Sequence, residues 1–195
     1  MGRLHKMEVA GLNIKIHPHP DGIYDDFILA IFGLKKITKI HGDRFGLITL
    51  VKQDSDNPEF YDGVLSTFLK IEMGSEWFNT ETMEEATSND VGEIKIPEYL
   101  HPNLKTFRFT FNTERHEFVF QHYAEGLKLT HNSALNYMKN IVTDNRIKSK
   151  FGEVKVGVIN EKGSVDKIFS IPRITELELY IERPNSDVWG VDFEE

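Results

Sequence analysis

The chain has 195 residues, 39% of them hydrophobic and 11% aromatic, which is enough apolar material for one ordinary domain and argues against global disorder. It contains no cysteine, so disulfides and thiolate-bound zinc are excluded, in keeping with a cytoplasmic protein. The net charge of −8 is unevenly spread: residues 54–98 hold 12 acidic and 2 basic side chains, residues 185–195 hold 4 acidic and none basic, and the remainder carries a net +6.

The longest apolar run, residues 27–32, falls well short of the roughly 18 residues that a spanning helix needs. The opening "MGRLHKMEVAG" has no apolar leader core, so no membrane partner is expected. Leu12, Ile14 and Ile16 alternate with Asn13, Lys15 and His17, the period of a half-buried strand. Residues 21–33 then predict a helix capped by Asp21 and ended by Gly33, with Phe27, Ile28, Ile31 and Phe32 as its apolar stripe. Residues 45–51 are apolar on both faces and predict a central strand, with 63–72 as its neighbour.

Residues 73–103 are different in kind. They are acidic, carry Pro97 and Pro102, and offer only the short "EIKIP" as a strand, so they predict a long excursion over the surface. "KTFRFTFNTERHEFVFQHY" then predicts a hairpin. A turn at 112–115 pairs Phe111 with His116, Phe109 with Phe118 and Phe107 with Phe120, and gathers the phenylalanines on one face. Such a face belongs in a core; the competing reading is a base-stacking platform.

"LTHNSALNYMKNIVTD" predicts a helix capped by Thr130 or Asn132, burying Leu135, Met138, Ile141 and Val142. Val154, Val156 and Val158 predict a strand, Ser164 opens a short helix stopped by Pro172, and Leu177, Leu179 and Ile181 predict a last strand. The first half orders strand, helix, strand, strand; the tail orders helix, strand, helix, strand. Both are fragments of a ferredoxin-like layer. The expected fold is α+β: a mixed, mostly antiparallel sheet with helices packed on it. It forms one domain over 1–195, divisible into sub-halves 1–123 and 124–195, with no repeat at a fixed period.

Chemistry could sit in few places. In His17-Pro18-His19 the two imidazoles are spaced as ligands on one side of an extended chain, and His41 and Asp43 would complete a divalent-metal site if their turn folds beside the end of the first strand. The pattern resembles the His-hydrophobe-His endonucleases of replication initiators and relaxases, a likeness that implies a tyrosine nucleophile on a helix, here Tyr137 with Lys139 two residues on. Pro18 and Pro20 depart from it, because they end a strand where that family continues one. The structural reading makes "HPHPDG" a stiff polyproline-like exit from the sheet, and this reading is preferred. Glu153-x-Lys155, with Asp144 upstream, and Glu93-x-Lys95 have the spelling of a magnesium-dependent nuclease strand, a triplet that chance supplies readily in a chain this rich in Glu and Lys. "HEFVFQH" alternates as a strand and is no zinc-protease helix, and there is neither a glycine-rich phosphate loop nor a nucleophile elbow.

Taken in order, "LNIKIHPHP", "KIHGDRFGLIT", "EWFNTET", "IPEYLHPNLKTFRFTFNTERHEFVF", "FGEVKVGVI" and "IPRITELELYIERPN" resemble the bacterial family catalogued as domain of unknown function 4747, over nearly the whole chain. The resemblance brings no reaction and no site residue; it implies a setting among mobile-element and phage-defence genes, and members that continue past "RPN". The expected function is therefore a non-catalytic binding module for nucleic acid or a phage component, with no cofactor. Two alternatives remain: a metal-dependent endonuclease using the His-x-His pair, and a scaffold that contacts a protein partner through its acidic segment.

Overall fold

The structure, a computed structural model, describes residues 7–18, 20–72, 74–92, 94–124 and 126–159. The short helix opened by Ser164, the strand of Leu177, Leu179 and Ile181, the acidic ending, and His19 and Glu93 lie outside the described residues.

Strand β1 (Met7–Ile16) buries Leu12, Ile14 and Ile16 along one face, as its alternation requires. Helix α1 (Ile23–Leu34) follows and buries Tyr24, Phe27, Ile28 and Ile31, with Phe32 half-buried. Its N-cap is Gly22, at φ 75, rather than Asp21, and the amide of Asp26 donates to the Gly22 carbonyl. β2 (Thr38–His41) and β3 (Arg44–Gln53) form a hairpin, and β4 (Phe60–Leu69) continues the meander. The expected central strand is thus interior in order, but a bulge after Ile48 turns Leu50 outward, so only part of it is buried.

The acidic excursion contains β5 (Phe78–Asn79), β6 (Glu84–Glu85) and α2 (Ser88–Gly92); residues 94–97 of "EIKIP" form no strand. β7 (Lys105–Asn112) and β8 (Glu117–Ala124) make the phenylalanine hairpin, and β9 (Leu127–Lys128) folds back on β8. The hairpin register differs from the expected one by two residues: Phe111 faces Phe118 and Phe109 faces Phe120. Asn112 causes this, because its side-chain oxygen accepts from the amides of Glu114 and Arg115 at 2.9 and 2.8 Å, and the chain then turns through His116 at φ 59. The side-chain parity is unchanged. Phe107, Phe109, Phe111, Phe118 and Phe120 are all at most 3% exposed, so the face is core and not a stacking platform.

Helix α3 (His131–Ile141) starts at Thr130, whose hydroxyl accepts from the Ser133 amide at 3.1 Å. Ala134, Tyr137, Met138 and Ile141 face inward, and Leu135 is half-buried. α4 (Asn145–Phe151), which the sequence reading missed, buries Ile147 and Phe151. Gly152, at φ 68, then turns the chain into β10 (Val154–Val158).

Eight strands form one antiparallel sheet in the order β10-β1-β8-β7-β4-β3-β2, with β9 alongside β8, and β5 and β6 pair apart from it. The sheet is curled. α3 reaches β2 and β3 on one side, through Asn140 to the Lys39 carbonyl and Tyr137 to the Ile48 amide, and β10 on the other. α1 and α3 fill the concave face over the phenylalanines, and no described helix is long and apolar enough to cross a membrane.

Gly63 marks where packing is tightest. A methyl there would strike the Phe109 ring and lie 2.6 Å from the Leu50 carbonyl oxygen. Gly63→Ala is expected to lower stability by about 1–3 kcal/mol, read as a lower urea midpoint at constant slope; an unshifted midpoint would show that β3 and β7 yield at no cost.

Candidate functional site

The structure disperses most of the sequence candidates. His17 is exposed just beyond the end of β1. His41 and Asp43 are exposed at the β2–β3 turn, where Arg44 pairs with Leu69, the last residue of β4. His17 instead lies at the end of the sheet where Asn13 meets Glu117 and Asn112 meets Phe60. The length of β3, about 30 Å at the ordinary strand rise, separates the two levels. His41 and Asp43 therefore do not join His17, and no group of three or more metal-ligating side chains converges among the described residues.

Tyr137 is 1% exposed, and its hydroxyl accepts from the Ile48 amide at 3.2 Å. Burial raises its pKa well above the ordinary phenol value, so this residue is a core acceptor and no solvent-facing nucleophile. Asp144 caps α4: it accepts from the Arg146 amide at 2.9 Å and pairs with the Arg146 guanidinium at 3.1 Å and Lys36 at 2.9 Å. The Arg146 side chain and then Lys36 hold its carboxyl well below the usual carboxylate range. Both of its oxygens are thereby committed.

Glu153 and Lys155 are exposed, as alternation on a strand edge requires, and both border a cavity between the end of α3, α4 and the start of β10. Its volume is about 410 Å³. α3 contributes Lys139, and the turn that caps it contributes Val142 and Thr143; α4 contributes Lys148; β10 contributes Val154, Lys155 and Val156. The valines give the cavity an apolar floor, and three lysines are among the residues that line it. Lys139, Lys148 and Lys155 form no ion pair among the described residues, and Glu153 is the one carboxylate on the rim. Lys15 faces Lys155 across the β1–β10 ladder.

Part of this charge has a structural role. α3 and α4 both end here, and lysines in a last helical turn complement the carbonyl end of the helix dipole. Lysines tied up in that role alone need no cavity between them. The sequence reading named Glu153, Lys155 and Lys139 separately but missed Lys148, because α4 itself was not anticipated. The spacing of Ile147 and Phe151 behind the Asp144 cap was the available signal.

Residues 5–195 match the model of the family described as domain of unknown function (DUF4747). The chain belongs to that family. No curated protein and no solved structure matches it. For a DUF4747 chain, the geometry of the site is thus the evidence on which a functional reading rests.

Two substitutions test the structural assignments. Tyr137→Phe removes the acceptor of a buried amide and is expected to cost about 1–3 kcal/mol in urea unfolding; an unchanged stability would mean that the Ile48 amide has another partner. Asp144→Asn keeps a capping oxygen and removes the charge. The native carboxyl titrates below that of the unfolded chain, so its stabilisation is complete above about pH 4 and is lost as the pH falls further. The wild-type protein should melt above Asp144→Asn at pH 7, and that gap should begin to narrow near pH 4 and go on narrowing as the pH falls toward the carboxyl's depressed native value; a gap that stays constant as the pH falls below about 4 would contradict the assigned ion pairs.

Proposed function

We propose that this DUF4747 chain is a non-catalytic, single-domain cytoplasmic binding module that takes the phosphate backbone of a nucleic acid at the lysine-rimmed cavity. One observation carries the reading: three lysines from three separate elements surround one cavity and find no carboxylate partner among the described residues. Phosphates bind such groups by displacing condensed counterions, which requires ammonium groups that are not already paired. Across residues 131–159 there are five basic and two acidic side chains, against the net −8 of the whole chain.

A non-catalytic role is supported by the closed position of Tyr137, the committed oxygens of Asp144 and the separation of His17 from His41 and Asp43. The order β10-β1-β8-β7, with α3 and α4 running between β8 and β10, supports a ferredoxin-like reading of the core, to which β4, β3 and β2 are added at one edge. The family resemblance supports a setting in phage defence or mobile-element biology.

The test is fluorescence anisotropy with labelled single- and double-stranded DNA and RNA across a salt series. If the cavity neutralises three phosphates, affinity should fall about 20- to 40-fold between 50 and 200 mM salt. The triple substitution Lys139→Ala, Lys148→Ala, Lys155→Ala should remove that dependence along with the binding. Salt-insensitive binding, or a triple variant that binds as the wild type does, would dismiss the reading.

A further inference from the structure

At the far end of the sheet, the acidic excursion leaves β4 and returns beside it. The Leu69 amide donates to the Pro102 carbonyl, which fastens the departing segment to the returning one, and the Lys70 amide donates to the Asp43 carbonyl, which ties it to the β2–β3 turn, both at 2.9 Å. Between them and the α1–β2 connection lies a groove of about 520 Å³. Its walls are aliphatic: Ile37 is 41% exposed, Ile71 38%, Ile96 37% and Leu100 54%, a concentration of wetted apolar surface that a folded chain avoids unless something covers it.

The rim decides what covers it. Two of its groups are cationic or able to become so, and both are engaged by rings: the Lys70 ammonium lies 5.6 Å above the Phe45 ring, and His101 stacks on Phe68 with centroids 4.6 Å apart. The other two, Glu72 and Glu98, form no ion pair among the described residues. The segment 72–98, which supplies Glu72, Ile96, Pro97 and Glu98 to the groove, holds eight acidic residues and one basic. With Lys70 still charged over its ring, the two carboxylates outnumber the one lysine, and the groove presents a net negative rim around an apolar floor.

We propose that this groove is the docking site for a basic partner segment, a peptide whose aliphatic anchors enter the groove while flanking lysines or arginines meet Glu72 and Glu98. Charge complementarity selects this occupant. A nucleic acid would bring phosphates against two free carboxylates. A second copy of the chain, meeting the same patch about a two-fold axis, would set acidic rim against acidic rim. The surface is separate from the lysine-rimmed cavity, so either can fail without the other.

The experiment uses the full chain and a fluorescein-labelled peptide with leucines spaced three and four residues apart and lysines between them. Two control peptides replace the lysines by glutamate or the leucines by serine. The basic peptide should bind and both controls should not. Glu72→Lys with Glu98→Lys should weaken binding at least about tenfold, and Leu100→Ser about fivefold or more. Glu81→Lys with Glu84→Lys makes the same change in net charge at exposed positions off the groove and should leave affinity within about twofold. All these sites are exposed, and thermal melts verify that each variant folds. Absence of binding, equal loss from the two charge-reversal pairs, or no effect of Leu100→Ser would overturn the proposal. So would a wild-type protein that sediments as a dimer and becomes monomeric with Leu100→Ser, since the groove would then be covered by a second copy.

Discussion

The curled sheet depends on α3 lying between its two edges, and the contact that fixes this is between the Tyr137 hydroxyl and the Ile48 amide. β2 is only four residues long and pairs with β3 no further than Thr38 opposite Gly46. Two residues beyond that point, the amide of Ile48 needs an acceptor in an environment that water does not reach, and the phenol provides it. Tyr137 also packs against Gly46, where a side chain would meet its ring at 3.1 Å. The same helix and the turn that caps it set Lys139, Val142 and Thr143 against β10, so the closure of the sheet and the assembly of the cavity are one event.

Local periodicity carried much of the fold. The even-numbered face of β1, the inward phenylalanines and the Thr130 cap all follow from side-chain alternation or capping chemistry that acts within a few residues. The hairpin register did not, for a definite reason. Moving the turn by two residues leaves the same side chains facing inward, so burial cannot distinguish the two pairings. The choice is made by Asn112, whose side-chain oxygen accepts from the amides two and three residues on and lengthens the turn. β2 escaped notice because Thr38, Lys39, Ile40 and His41 are too few to establish a period, and α4 because Asp144 was weighed as a metal ligand and not as a helix cap.

The candidate site was still less legible, since its parts come from elements that only the fold brings together. Lys36, which helps commit Asp144, is 108 residues away in sequence. No spacing rule connects such a pair. Conversely, Glu153-x-Lys155 was visible as a short motif, but its meaning depends on Lys139 and Lys148, which change a lone strand triplet into the rim of a cavity. Motifs of this length acquire content from what is packed against them.

Net charge is a poor guide to what this chain can bind, because its charges are sorted along the sheet. The lysine cavity sits where β10 begins opposite the end of β1, while the segment 72–98 sits beyond the end of β4, at the other extreme of the strands. At physiological ionic strength, exposed charges separated by more than about 8 Å are largely screened from one another. A phosphate approaching the cavity therefore responds to the lysines around it and hardly to the −8 carried by the molecule as a whole. The acidic groove is equally unaffected by the lysines. A single sheet thus keeps two surfaces of opposite sign electrically independent, and the length of its strands is what holds them apart.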